Sequence, residues 1–253
     1  MRRRIALTSI AAGVILWSVP ASAQAPALHV IASNGVREVI EALLPQGERA
    51  AGHPLMMQYG STTSLLQTIG TGAQFDAVIL TSEAIDQLIK DGKVVGATRV
   101  DIARAGIGVG VRAGAPKPDV SSPDTLKKTL LNAKSITYAR DGASRVYLEK
   151  MFDGMGIAND LKPKILLEQG SVRSGERVAD GSAQLVMTLV SEILPMHGVD
   201  FVAPLPSQLQ SYVSFAAGVG AKSDNTAAAK ALIKFLTGPS VAPTYKAKGM
   251  EQR

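Results

Sequence analysis

Short apolar runs, each followed by a loop of small polar residues and then by apolar residues three and four apart, recur from residue 28 onward. Residues 28–32 (LHVIA) lead into Ser33, Asn34 and Gly35. Val36, Val39, Ile40, Leu43 and Leu44 then share one helical face, which Pro45 and Gly47 are expected to end. Residues 55–59 form the next expected strand, followed by Gly60, Ser61, Thr62 and Thr63 and by a short stripe of Leu65, Leu66 and Ile69. Residues 75–80 supply a third, with Ile85, Leu88 and Ile89 on the helix after it. Strand-then-helix repetition predicts a largely parallel sheet with helices over both faces, because a parallel crossover needs a helix-sized connection.

The pattern shifts after residue 100. Residues 102–112 read as one long extended segment dotted with Gly106, Gly108 and Gly110. No helix opens at these glycines, so they do not form a dinucleotide-binding signature. Ser122 and Pro123 mark a helix start. Residues 136–139 are a strand, and Asp141, Gly142, Ala143 and Ser144 lead into a helix with Tyr147, Leu148, Met151, Phe152 and Met155 on its apolar side. Residues 165–167 and 185–189 are further strands, with a short helix opening near Val172. Residues 205–206 connect to an extended run at 212–219. Asp224 is expected to cap a last helix carrying Ala228, Ala229, Leu232, Ile233 and Leu236, which packs back on the first unit. The class is α/β with two lobes. Residues 24–105 start lobe one, 106–204 form lobe two, and 205–253 return to lobe one.

Residues 1–23 stand apart. Arg2, Arg3 and Arg4 precede an apolar stretch over 5–19, and Ala21, Ser22 and Ala23 form a small-x-small cleavage site. This is a secretory leader, too short and wrongly flanked for a membrane anchor, and it directs the product to the periplasm. Its removal leaves 230 residues with only three more basic than acidic side chains. Aromatic residues are sparse and basic ones dispersed, which argues against a nucleic-acid groove. The absence of cysteine excludes disulfides, thiol catalysis and a lipidated anchor. His29, His53 and His197 lack a metal-ligand spacing, and no metal or cofactor is expected.

Three loops follow a strand and open a helix: Ser33 with Asn34, Ser61 with Thr62, and Ala143 with Ser144 and Arg145. Helix N-termini carry unpaired N–H groups and partial positive charge, and Ser and Thr hydroxyls add donors. Loops of this kind converging on one crevice would hold an anion. The same residues are also ordinary helix caps. Arg145 lies just inside a helix start, where a cation opposes the helix dipole, and Arg173 follows Val172 at another. Either could pair with a ligand carboxylate, or with Glu149, Glu176 or Asp180.

Several segments resemble the periplasmic solute-binding proteins of ABC importers, in the type II fold group and especially its molybdate-binding branch. They are Ala32-Ser33-Asn34-Gly35, Tyr59-Gly60-Ser61-Thr62, Phe75-Asp76-Ala77-Val78-Ile79, residues 109–114, Pro204-Leu205-Pro206 and residues 235–239. The resemblance implies two α/β lobes with a ligand cleft between them, a monomer, a small anionic ligand and an inner-membrane ABC permease as partner. It places Ser33, Ser61, the Ala143–Ser144 region and Val172 at donor positions. Thr188 stands where molybdate-binding relatives carry a tyrosine, and Arg145 where they carry a small residue. Both departures favour an organic carboxylate. The chain is also similar to aconitate isomerase, an exported enzyme on the same scaffold. In that case a base must move an allylic proton, with His53, Tyr59 and Asp76 as candidates.

Overall fold

The computed structural model describes residues 25–253. The expected leader lies outside them. The chain runs β1 (Leu28–Ser33), α1 (Arg37–Ala51), β2 (Leu55–Gly60), α2 (Thr62–Gly70), β3 (Ala77–Thr81), α3 (Ser82–Lys90) and β4 (Val100–Arg112). It continues through α4 (Pro123–Asn132), β5 (Ile136–Ala139), α5 (Arg145–Gly154), α6 (Ala158–Leu161), β6 (Ile165–Glu168), α7 (Gly170–Ala179), β7 (Leu185–Leu189) and α8 (Val190–Ile193). It closes with β8 (Val199–Pro204), β9 (Tyr212–Val219), α9 (Thr226–Leu236), α10 (Ala242–Ala247) and β10 (Met250–Gln252).

The strands join in the order β2-β1-β3-β9-β4-β7-β5-β6, with β8 and β10 also on β4. Pairing is parallel for β1 with β2 and β3, and for β5 with β6 and β7. It is antiparallel wherever β4 or β9 takes part. Each half of the sheet is therefore mixed rather than purely parallel. β4 belongs to both halves. Up to Gly106 it pairs with β9, and from Ile107 onward it pairs with β7. Gln210, in the returning connection, accepts from Ile107 N at 2.8 Å and donates to Ile107 O at 3.0 Å, bracing the point where β4 passes from one lobe to the other.

The glycines of β4 serve packing. A Cβ at Gly108 would lie 2.8 Å from Phe201 Cε2, and one at Gly110 would lie 2.8 Å from Val186 Cγ1. Helix α1 does not stop at Pro45 but continues six residues beyond it, to a left-handed Gly52. Its buried Val39, Ile40 and Leu43 belong to the same core as Ala229, Leu232 and Ile233 of α9. Gly47 faces Leu232, so packing on both sides of the proline outweighs its missing N–H. Asp224 does not cap α9: Asn225 occupies the cap position, and its N–H is held by Ser223 Oγ at 3.1 Å.

Candidate ligand-binding cleft

The C-terminal ends of β1 and β2 in one lobe face those of β5, β6 and β7 in the other. The loops from these ends enclose a small cavity of about 20 Å³. Lobe one contributes Ser33, Asn34, Ser61 and Thr62; lobe two contributes Asp141, Gly142, Ala143, Gly170, Ser171 and Glu192. The cavity adjoins a groove of about 480 Å³ between α1 and the α7–α8 face, with Asn34, Ser171 and Glu192 in the wall of both.

The lobe-one side is a pair of helix starts. Ser33 Oγ accepts from Gly35 N at 3.3 Å, and Ser61 Oγ accepts from Ser64 N at 3.1 Å. A hydroxyl that accepts in this way keeps its own proton to donate. Thr62 Oγ1 is buried and has no hydrogen-bond partner. Since a buried polar atom ordinarily finds a partner, this hydroxyl is available to a ligand in the cavity it lines.

On the lobe-two side, Asp141 ties two loops together, accepting from Gly170 N at 3.0 Å and Gln169 Nε2 at 3.2 Å. Gly170 has φ +76°, which favours glycine at this turn. Glu192, on the single turn of α8, reaches the cavity from behind. Ser171 Oγ donates to its Oε1 at 3.1 Å and Thr188 Oγ1 donates to its Oε2. Some of its surface opens into the cleft, but the carboxyl is packed deep among protein atoms. Burial is the largest influence on it and raises its pKa above the usual carboxylate range, against the pull of the two hydroxyls; the charge of Asp141 adds to the rise. The neighbouring Ser191 Oγ donates to Gly35 O at 2.8 Å, a buried bond that joins α8 to the first loop of the opposite lobe.

The expected site residues divide. Ser33, Asn34, Ser61, Thr62 and Ala143 converge on the cavity, and Val172 lies exposed on the groove. Thr188 is buried and holds Glu192 instead of facing the cavity itself. Ser144 is buried outside the lining. Arg145 also lies outside it: its Nε pairs with Glu149 at 2.8 Å, one helical turn on, and its guanidinium donates to Arg140 O. This local pairing accounts for a cation at a helix start. Arg173 is exposed and paired with Glu176 at 2.7 Å. Of the candidate bases, His53 contacts Pro26 O, and Asp76 accepts from His29 N, Ser223 and Asn225 at the opposite end of the sheet. Tyr59 lies beneath the guanidinium of Arg37, 5.0 Å from its ring centre. Neither Glu192 nor Asp141 was among the expected ligand contacts. Glu192 follows β7 at a strand's C-terminal end, the position that singled out the other loops.

The chain matches the family described as bacterial extracellular solute-binding protein over residues 28–251. The chain belongs to that family. Among relatives of this solute-binding protein, the aconitate isomerase of a Pseudomonas species is 32% identical over 254 residues, covering 97% of this chain and 96% of the relative. The molybdate-binding protein ModA of Azotobacter vinelandii is 22% identical, covering 90% of this chain and 91% of the relative. A solved periplasmic molybdate-binding protein from Azotobacter vinelandii superposes with a TM-score of 0.72 at 16% identity, covering 88% of this chain and 98% of that one. The solute-binding protein thus has the two-lobed type II periplasmic-binding-protein fold.

Proposed function

We propose that this protein is an exported isomerase that shifts an allylic proton in an unsaturated polycarboxylate, with aconitate as substrate and Glu192 as proton carrier. The observation that carries the reading is a buried carboxyl group, held by the hydroxyls of Ser171 and Thr188, in the wall of a cavity whose facing side is formed by Ser33, Ser61 and Thr62; its burial raises its proton affinity. A site built only to hold a dianion gains nothing from a carboxyl in its wall. A site that must take up and return a proton needs one.

In this reading Glu192, as carboxylate, removes a proton from the substrate's methylene carbon. The C–H electron pair becomes the new double bond, and the electrons of the old double bond take the proton back from Glu192 at its far end. Atoms and charge balance, and the carboxyl returns to its starting state. Hydroxyls of Ser33, Ser61 and Thr62 and the loop N–H groups stabilise the charge that builds on the substrate carboxylates. The 32% identity to an aconitate isomerase over nearly the whole of both chains supports the same reading. Arg145 and Arg173, paired within their own helices, are left out of the site. The leader over residues 1–23 directs the chain to the periplasm.

The test is incubation of the protein, without its leader, with trans-aconitate in D2O. Accumulation of cis-aconitate is expected, with carbon-bound deuterium in the fraction of turnovers in which the proton on Glu192 exchanges with solvent before its return; no cis-aconitate would overturn the proposal.

A second reading is capture of a small oxyanion for an inner-membrane ABC permease. It is favoured by the donor loops of both lobes and by the bond from Ser191 to Gly35 across them. Here the ligand selects a closed form and no covalent bond changes. Tight binding of molybdate or sulfate without turnover of aconitate would favour it.

A further inference from the structure

We infer that Arg37 is the specificity-determining residue of the cleft, holding the distal carboxylate of a polycarboxylate in the groove while another carboxyl end occupies the small cavity. The inference rests on the isomerase reading above and adds the subsite that selects the substrate.

The cavity at the loop ends is too small for a six-carbon acid, so the remainder of such a ligand must extend into the groove. Asn34 lines both spaces, and Arg37, three residues on, follows it along the same side of the helix start. Among the described residues, Arg37 is the one lysine or arginine that lines either space.

Two of the acidic side chains of the groove have cation partners of their own. Glu38 faces Lys248 at 3.6 Å, and Glu176 is held by Arg173. Glu41, one helical turn from Arg37, lines the same groove and acts with it on Tyr59, without a salt bridge between the two. The guanidinium lies instead over the face of Tyr59. Stacking on a ring fixes the plane of the fork and leaves its N–H edge free for a carboxylate, a geometry that lysine cannot reproduce. A single inorganic oxyanion seated in the cavity would not extend to this cation. The residue therefore separates a long polycarboxylate from a compact anion.

The experiment is calorimetric titration of the wild-type protein and of Arg37→Gln and Arg37→Lys with tricarballylate, a saturated tricarboxylate that cannot isomerise, and with molybdate. Tricarballylate affinity should fall at least tenfold in Arg37→Gln, about 1.4 kcal/mol, and part-way in Arg37→Lys, with any molybdate affinity within twofold of wild type. If wild type and both variants bind tricarballylate equally, the Arg37 assignment is overturned while the isomerase reading stands. If wild type binds molybdate but not tricarballylate, both fall. Should Arg37→Gln fail to fold, Arg37→Lys decides alone, since unchanged tricarballylate affinity in it overturns the fork geometry.

Discussion

Exchanging Glu192 for glutamine separates proton transfer from everything else the cleft does. The two carboxyl oxygens have one hydroxyl partner each, Ser171 and Thr188. Glutamine keeps the shape, and a hydroxyl can accept as readily as it donates. Rotation of one hydroxyl restores the pair, so hydrogen-bond losses should stay below ~1 kcal/mol. Ionisation acts in the other direction. Burial raises the Glu192 pKa in the folded state. Such a group contributes fully below its unfolded pKa, and the contribution is lost as pH rises through the folded value. Glutamine never ionises, so Glu192→Gln should gain on wild type with rising pH, by ~1.4 kcal/mol for each unit separating folded and unfolded pKa. Turnover should fall ~10²–10⁴-fold, or ~3–5 kcal/mol of transition-state stabilisation. Chromatography of the aconitate isomers and urea unfolding at acidic and neutral pH check the two parts. A variant that keeps more than half the wild-type rate refutes Glu192 as proton carrier, and a stability advantage that shrinks as pH rises refutes the raised carboxyl.

Three other perturbations probe the frame around it. Gly35→Ala would put a Cβ 2.4 Å from Phe215 Cζ and 3.1 Å from Leu189 Cδ1, at the contact between lobes; a loss of ~1–3 kcal/mol in urea unfolding is expected, and an unchanged midpoint would contradict the close packing. For Asp76, burial pushes the pKa up, but donors from Ser223, His29 N and Asn225 outweigh it and leave the pKa lowered. The stability gained is present above the unfolded carboxyl pKa and lost as pH falls through the folded one. Asp76→Asn should therefore cost ~1–3 kcal/mol at pH 7 and less at pH 3, and an equal deficit at both would refute this. Arg145→Ala removes a partly exposed helix pair and should cost under ~1 kcal/mol, with ligand affinity unchanged within twofold; a tenfold weakening would place Arg145 at the ligand.

Much of the fold was legible because the strands carry their own signal. β5 and β7 are continuous buried runs bounded by polar residues, and both sit where their apolar residues place them. The donor loops at residues 33, 61 and 143 were legible for a similar reason, since small polar residues between a strand and a helix stripe are a local pattern. What was missed is non-local. α1 passes Pro45 because α9, nearly two hundred residues later, packs along it. β10 has three residues and exists through its ladder with β4. Glu192 sits in a four-residue helix, too short for any periodicity, and its burial depends on Ser171, twenty-one positions away. Arg37 reads as an ordinary surface cation until the fold sets Tyr59 beneath it.

β4 has a consequence for how this molecule can be divided. Its thirteen residues are hydrogen-bonded on one side of Gly106 to partners in the first lobe and on the other side to partners in the second. A fragment that kept one lobe with the whole of β4 would leave the other half of that strand without its partners, with bare N–H and C=O groups along an apolar segment, the template on which unrelated chains aggregate. The strand thus stitches the two lobes into one backbone ladder, so any cut between them has to fall within a strand and not in a linker.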